Sequence, residues 1–170
     1  MSNNREGFTL VELLVVIAII GLLASIVLVS LNTARAKARD SRRISDLKQL
    51  QLAIEMYYDD YGQYPMPCRG WSVWSGHCPD YGNCDTNYIQ GVVPTYISVL
   101  PIDPRWDTSY YGYLYNSNGT DYMIITHGSM ETVKGGDPSA AGNPPHIQQM
   151  DRVCCWQPTI AVYSPGAKNW

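Results

Sequence analysis

Proline is missing from the chain before Pro65, and all 11 prolines lie at or after that residue. Charge is almost missing between Phe8 and Leu31, where Glu12 is the one ionisable side chain. Because proline removes a backbone donor and breaks helices, its absence allows one uninterrupted helix through this part of the chain. A scarcity of charge over the same stretch excludes an ordinary solvated surface helix.

Phenylalanine and excess basic charge are also scarce. One Phe stands against 13 Tyr and five Trp, and we expect these amphipathic rings at surfaces and interfaces, where one end stays wet. The chain has 12 Lys and Arg against 15 Asp and Glu, so its net charge is −3. This balance disfavours nucleic acid as a partner, since such proteins carry a basic patch or stripe.

Residues 8–31 are apolar, small or hydroxylic apart from Glu12. A helix of this length reaches roughly 36 Å at about 1.5 Å per residue, which is enough to cross a bilayer core. A carboxylate within such a helix costs roughly 2.5–3.5 kcal/mol near the centre and less near an end. We therefore predict a membrane-spanning segment in which Glu12 has a partner. The polar residues 1–7 are predicted to form a detachable leader.

Residues 32–61 are predicted to continue the helix as an amphipathic half, because they contain neither proline nor glycine. Gly62, with Pro65 just beyond it, is expected to end the helix. The charged side chains are expected on solvated faces, although the basic group from Arg35 to Lys48 could instead contact lipid headgroups. Apolar residues spaced by three and four predict one buried stripe of Ile44, Leu47, Leu50, Ile54, Tyr57 and Tyr61.

Residues 62–170 are predicted to form a loop-and-strand head, since every proline and most of the 14 glycines lie there. Strands are predicted at Tyr110–Tyr115 and Tyr122–Thr126, and more weakly at Tyr88–Val93 and Ile160–Tyr163. Residues 128–149 are expected to form a long irregular loop. The fold class is therefore α+β, a long helix packed on a small antiparallel sheet, with Met123, Ile124 and Ile125 against the helix stripe.

Five cysteines in this loop-rich head indicate an oxidising compartment and structural disulfides. Cys78 and Cys84 could close a short loop, and Cys68 could reach one of the two cysteines near the end. The connectivity cannot be deduced from spacing, and one thiol is left over. A zinc site at His77 and Cys78 is an alternative, although there is no Cys-x-x-Cys pair. The candidate disulfide cysteines are Cys68, Cys78, Cys84, Cys154 and Cys155.

No sequence pattern indicates catalysis, since a nucleophile elbow, a phosphate loop and a metalloprotease helix are all missing. The histidines His77, His127 and His146 are interpreted as surface residues. We predict that the chain is not an enzyme and needs no cofactor. Calcium is a weak alternative, because loop carboxylates could supply oxygen ligands. The carboxylates concerned are Asp103, Asp121, Glu131 and Asp137, and they do not form an EF-hand.

The segment Gly7-Phe8-Thr9-Leu10-Val11-Glu12, followed by a long apolar helix, strongly resembles the N-terminus of the type IV pilin and type II secretion pseudopilin family. Two short segments in the head add to this. Leu100-Pro101-Ile102-Asp103-Pro104 is similar to a segment of major type II secretion pseudopilins. Asn118-Gly119-Thr120-Asp121-Tyr122 resembles the strand entry of many pilins, although Asn-Gly-Thr also matches a glycosylation acceptor or a simple turn.

The resemblance implies the pilin fold and a specific processing route. A membrane-embedded prepilin peptidase would cleave between Gly7 and Phe8 and N-methylate Phe8. Glu12 would become the fifth mature residue. In an apolar bundle of helices, its carboxylate could pair with the new Phe8 amine of an adjacent subunit and fix the register of a helical filament.

We therefore predict a structural subunit of a type IV pilus-like homo-oligomeric filament that depends on prepilin peptidase and inner-membrane assembly machinery. The precursor would cross the bacterial inner membrane once, with its head outside the cytoplasm, and then enter an extracellular pilus or a periplasmic pseudopilus. A type II secretion pseudopilin is the first alternative, and a membrane-anchored enzyme or metal-binding module is the second. The chain departs from the family in having Gly21 but no proline near Val29, and no clear calcium loop in residues 127–142.

Overall fold

A computed structural model describes residues 8–77, 84, 87–105, 112–132 and 159–169. It contains helix α1 (Leu10–Tyr61) and strands β1 (Ser75–Gly76), β2 (Gly112–Ser117), β3 (Tyr122–His127) and β4 (Ala161–Tyr163), followed by a 3-10 helix (Pro165–Asn169). The predicted α+β class, with a long helix ahead of a small antiparallel sheet, is confirmed. The chain divides into two compact units, Met1–Lys37 and Ala38–Trp170. From here on, the head means the second unit, which includes the C-terminal part of α1.

The first unit carries the apolar part of α1. Its described large apolar side chains are exposed, from 41% at Leu31 to 84% at Phe8. The hydroxyl of Ser25 donates to the carbonyl of Leu22 at 2.7 Å, so this polar group is paired within the helix. By length and composition α1 could cross a membrane, with a mean hydropathy of 3.1 in its most apolar window.

The helix ends where the sequence predicts. Gly62 has a φ of 67°, and its N–H donates to the carbonyl of Tyr58 at 2.8 Å. This left-handed residue closes the last turn, as a glycine after a helix commonly does. The predicted stripe is one residue too long, because Tyr61 is 62% exposed and stacks on Tyr57 with ring centroids 4.4 Å apart.

The sheet is antiparallel, in the order β1-β2-β3-β4. The predicted β4 is confirmed, whereas β1 was not predicted. Strand β2 continues through Ser117, beyond its predicted end, and Tyr110 and Tyr111 lie outside the described residues. The predicted strand Tyr88–Val93 is wrong, because Ile89 makes a single bridge to Pro67 and the chain then turns at Gly91, whose φ is 77°.

Both faces of the sheet are covered. On one face, Ile124 packs with the α1 residues Leu47, Leu50 and Ile54. Met123 and Ile125 belong to a second cluster on the opposite face, so their predicted packing against the helix stripe is wrong. Successive residues of a strand point to opposite faces, and only one of three consecutive residues could face α1 here.

Tyrosines occupy much of the core, contrary to the expectation that they would favour surfaces. Tyr88, Tyr113, Tyr115 and Tyr122 are at most 1% exposed. Their hydroxyl groups find acceptors inside the head: the Tyr113 hydroxyl donates to Asp46 at 2.7 Å and the Tyr122 hydroxyl donates to Glu55 at 2.9 Å. Buried rings with paired hydroxyls explain why tyrosine can replace phenylalanine in this core.

A disulfide joins Cys68 to Cys84 across 16 residues. This pairing replaces both pairings considered from the sequence, since Cys84 is bonded to Cys68 rather than to Cys78. Cys78, Cys154 and Cys155 lie outside the described residues. The bond closes a loop within the head, and such a link stabilises a fold mainly by restricting the unfolded chain.

Candidate assembly site

The N-terminus of α1 is closed by a reciprocal pair of side chains. Thr9 precedes the helix, and its N–H and hydroxyl donate to Oε2 of Glu12 at 2.9 and 2.7 Å. In return, the N–H of Glu12 donates to the Thr9 hydroxyl oxygen at 3.3 Å. This arrangement is a capping box, which satisfies backbone donors that have no partner within the helix.

The cap gives Glu12 a partner within its own chain. An acidic group in the first turn also faces the positive end of the helix dipole, which favours its charged form. Both bonds from Thr9 use Oε2, and the cap does not require Oε1. The carboxylate therefore has an oxygen that can accept a bond from a second group while the helix start stays closed.

A second polar cluster lies in the head unit, around Arg43. Its side chain is fully buried and makes a two-bond fork with Asp103, at 2.7 and 2.9 Å. The remaining donors reach Asp40 at 2.7 Å and Glu131 at 3.1 Å. Asp40 in turn accepts the N–H of Thr132 at 2.7 Å, so the cluster fixes residues 131–132 against α1.

Charges in this cluster compensate one another. Burial alone would lower the pKa of Arg43, but the hydrogen bonds and charge of Asp103 outweigh it and raise that pKa. The hydrogen bond from Arg39 lowers the pKa of Glu131 to about 2, against the opposing effect of burial. Arg43 and Glu131 therefore stay ionised at neutral pH. The expected placement of Asp40 and Arg43 on a solvated face is corrected by these buried pairings.

The predicted calcium carboxylates that the structure describes have partners within the protein. Asp103 and Glu131 bind Arg43, and Asp121 accepts the hydroxyl of Ser164 at 2.7 Å. Their oxygens therefore already accept bonds from protein donors, and Asp137 lies outside the described residues. Within the described ranges, no group of three His, Cys, Asp or Glu side chains is arranged for a metal. Calcium and zinc binding stay predictions.

Sequence reasoning placed Glu12 in the helix but missed its cap. The signal was present, because Thr9-Leu10-Val11-Glu12 matches the Ser/Thr-x-x-Glu pattern of a capping box ahead of an apolar run. The Arg43 cluster had no comparable signal, because Asp103 lies 60 residues away from Arg43 in the sequence. Gly7 lies outside the described residues, so the leader junction with Phe8 stays a prediction.

Comparison with known proteins agrees with this N-terminus. A family model described as a prokaryotic N-terminal methylation motif matches residues 2–28. Type II secretion system core protein G of Escherichia coli (strain K12) is 31% identical over 149 residues, which cover 86% of this chain and 91% of that relative. The chain belongs to the type IV pilin and pseudopilin family. Core protein G of Klebsiella pneumoniae is 38% identical over 126 residues, covering 74% of this chain and 78% of the relative.

Within this family, the comparisons favour the pseudopilin alternative over the pilus subunit that we predicted first. A fimbrial protein of Neisseria meningitidis serogroup B is 37% identical over only 65 residues, or 38% of each chain. The family consists of structural proteins, which agrees with the prediction that the chain is not an enzyme. Membership implies prepilin peptidase processing, a membrane-anchored precursor and filament assembly. No solved structure matches the chain significantly.

Proposed function

We propose that the chain is a pseudopilin, a structural subunit that polymerises into the periplasmic filament of a type II secretion system. The observation that carries the proposal is similarity to core protein G over most of the chain. The exposed apolar side chains of residues 8–31 support it. Burial of such a surface in lipid or against other apolar helices is favourable, whereas its exposure to water is not.

The precursor in this proposal spans the inner membrane once, with residues 38–170 outside the cytoplasm. Prepilin peptidase cleaves between Gly7 and Phe8, and Phe8 is N-methylated. The inner-membrane assembly machinery then moves the helix from lipid to a bundle of identical helices. A head-to-tail contact that does not close generates an open helical filament.

Glu12 has two tasks in this proposal. Through Oε2 it keeps the start of α1 closed with Thr9. Through the remaining oxygen it accepts the cationic amine of Phe8 from a neighbouring copy. The pair compensates two charges that would each be costly in an apolar bundle, so it acts on register more than on total stability.

Two substitutions separate the tasks. Glu12→Gln keeps a residue suited to the capping box but removes the charge, whereas Thr9→Ala removes the cap, at a cost of about 1 kcal/mol, and keeps the charge. In a strain that lacks the native gene, we expect Glu12→Gln to be processed but to abolish both filament assembly and secretion. Thr9→Ala should retain both at a reduced level.

Mass spectrometry and secretion assays provide the opposing outcomes. Assembled subunits should begin at N-methylated Phe8, so an intact Met1 in filaments would contradict the processing step. Normal filaments from Glu12→Gln would contradict the proposed pair between Glu12 and the Phe8 amine. A deletion strain that still secretes but has lost surface pili would instead assign the chain to a type IV pilus, the function suggested by its fimbrial relative.

A further inference from the structure

A group of aromatic and amide side chains lies at the surface of the head, beyond the end of α1. We call it the amide–indole surface and define it by Gln63, Trp71, Trp74, Asn116 and Asn118. Three neighbouring depressions meet there, of about 340, 430 and 280 Å³. Trp71 and Gln63 line the first two, and Asn118 lines the second and third.

Asn116 carries a polar atom for which the described part of the chain offers no partner. The residue is 8% exposed, and its Oδ1 has no hydrogen bond within the described residues. Asn116 lines the third depression together with Ser72, Trp74 and Asn118. A buried acceptor without a partner is costly, so a ligand in the adjoining depression would be stabilised if it supplied a donor to this oxygen.

The backbone around Trp71 is held in an unusual conformation. Ser72 has a backbone φ of 59°, a value that residues other than glycine rarely adopt. Its N–H donates to the carbonyl of Ser117 at 2.7 Å. Trp71 is still 42% exposed, and a Cβ on Gly119 would lie only 3.4 Å from its ring. Strain of this kind is retained where it fixes a functional group, here an exposed indole.

Asn118 has a defined orientation as well. Its Oδ1 accepts the N–H groups of Thr120 and Asp121 at 2.9 and 2.8 Å. The donor end, Nδ2, is therefore the part of the amide that Asn118 can offer to a ligand. The surface thus presents donors, a buried acceptor and flat apolar rings within one region.

Among the described residues that line the three depressions, none is Asp, Glu, Lys or Arg. A charged ligand would therefore find no compensating side chain there. Sugar rings carry neutral hydroxyl groups at their edges and C–H groups on their faces, which match amides and indoles respectively. We propose that the amide–indole surface binds a neutral saccharide chain, with Trp71 and Trp74 as stacking platforms and Asn116 as the buried acceptor.

The proposal can be tested on the full chain, purified as a monomer in a detergent without a sugar headgroup. Calorimetric titration would use chitotetraose, which is N-acetylated, and cellotetraose, which is not. We expect binding in the millimolar range or tighter, weakened at least about tenfold by Asn116→Ala or Trp74→Ala. Preference for chitotetraose would indicate that Asn116 Oδ1 accepts a hydrogen bond from an acetamido N–H. Equal binding of the two saccharides would indicate that it accepts from a hydroxyl group.

Substitutions at exposed positions distinguish a loss of binding from a folding defect. Gln63→Ala and Trp71→Ala change solvent-facing side chains and should also weaken binding, whereas Gln49→Ala, an exposed amide on α1 away from the surface, should not. Absence of binding to both saccharides would overturn the proposal. So would binding that all four surface variants retain, or selective binding of a proline-rich peptide, another ligand that aromatic grooves accept. Because the monomer is titrated, failure of filament assembly would not affect the result.

Discussion

Arg43 brings a full charge into the core of the head, and its value depends on the groups around it. With no exposed surface, it neutralises carboxylates from α1 and from two loops, including Asp103 and Glu131. A buried pair of this kind is a weak source of net stability, but removing one member leaves uncompensated charge. The cluster therefore acts mainly by requiring one particular placement of the loops on the helix.

Replacing Arg43 with alanine should be strongly destabilising, by roughly 3–5 kcal/mol, because Asp40 and Asp103 would remain buried without their partner. Arg42→Ala is the matched control. The Arg42 side chain is 62% exposed and its Nε lies 3.8 Å from Asp46 Oδ2, so its loss should cost less than about 1 kcal/mol. Urea unfolding measures both changes. Equal losses of unfolding free energy for the two variants would show that the buried cluster contributes no more than an exposed ion pair.

Helices and strands could be predicted from the sequence where the residues that determine them are neighbours in the chain. The start and end of α1 follow from neighbouring residues: Thr9 with Glu12 at one end and Gly62 at the other. Strand β1 has two residues and exists because it pairs with Leu114 and Tyr115, far along the chain. No periodicity can develop over two residues, so the sequence could not reveal this strand or the Cys68–Cys84 pairing.

Gly62 provides a test of the helix end. A Cβ at this position would meet nothing within 4 Å, so the effect of a substitution comes from the backbone conformation alone. Gly62→Ala should cost about 1–2 kcal/mol, because its φ of 67° disfavours a Cβ. Gly62→Asn should cost less, since asparagine tolerates this region. Thermal unfolding followed by circular dichroism compares the two variants. Equal losses of stability would show that the effect does not come from the backbone conformation.

On the scale of the whole molecule, the chain consists of a part that needs an apolar environment and a part that supplies its own. The hydrophobic clusters, the Arg43 cluster and the disulfide all lie within Ala38–Trp170. In Met1–Lys37 the described large apolar side chains are exposed. The stability of the head should therefore be independent of residues 1–37, whereas association with lipid or other copies should depend on them.

A variant that begins at Ala38 tests this division. We expect it to be soluble and monomeric, and to melt within a few degrees of the full chain in detergent, because every head contact named above is retained. A variant that begins at Ile44 removes Asp40 and Arg43 together, and so leaves Asp103 and Glu131 without Arg43 and frees the backbone donors that Asp40 accepts. It should melt at a clearly lower temperature, because unpaired buried groups keep their full desolvation cost. Equal melting of the two truncated chains would mean that residues 38–43 do not belong to the folding unit of the head, and that the division falls within the Arg43 cluster itself.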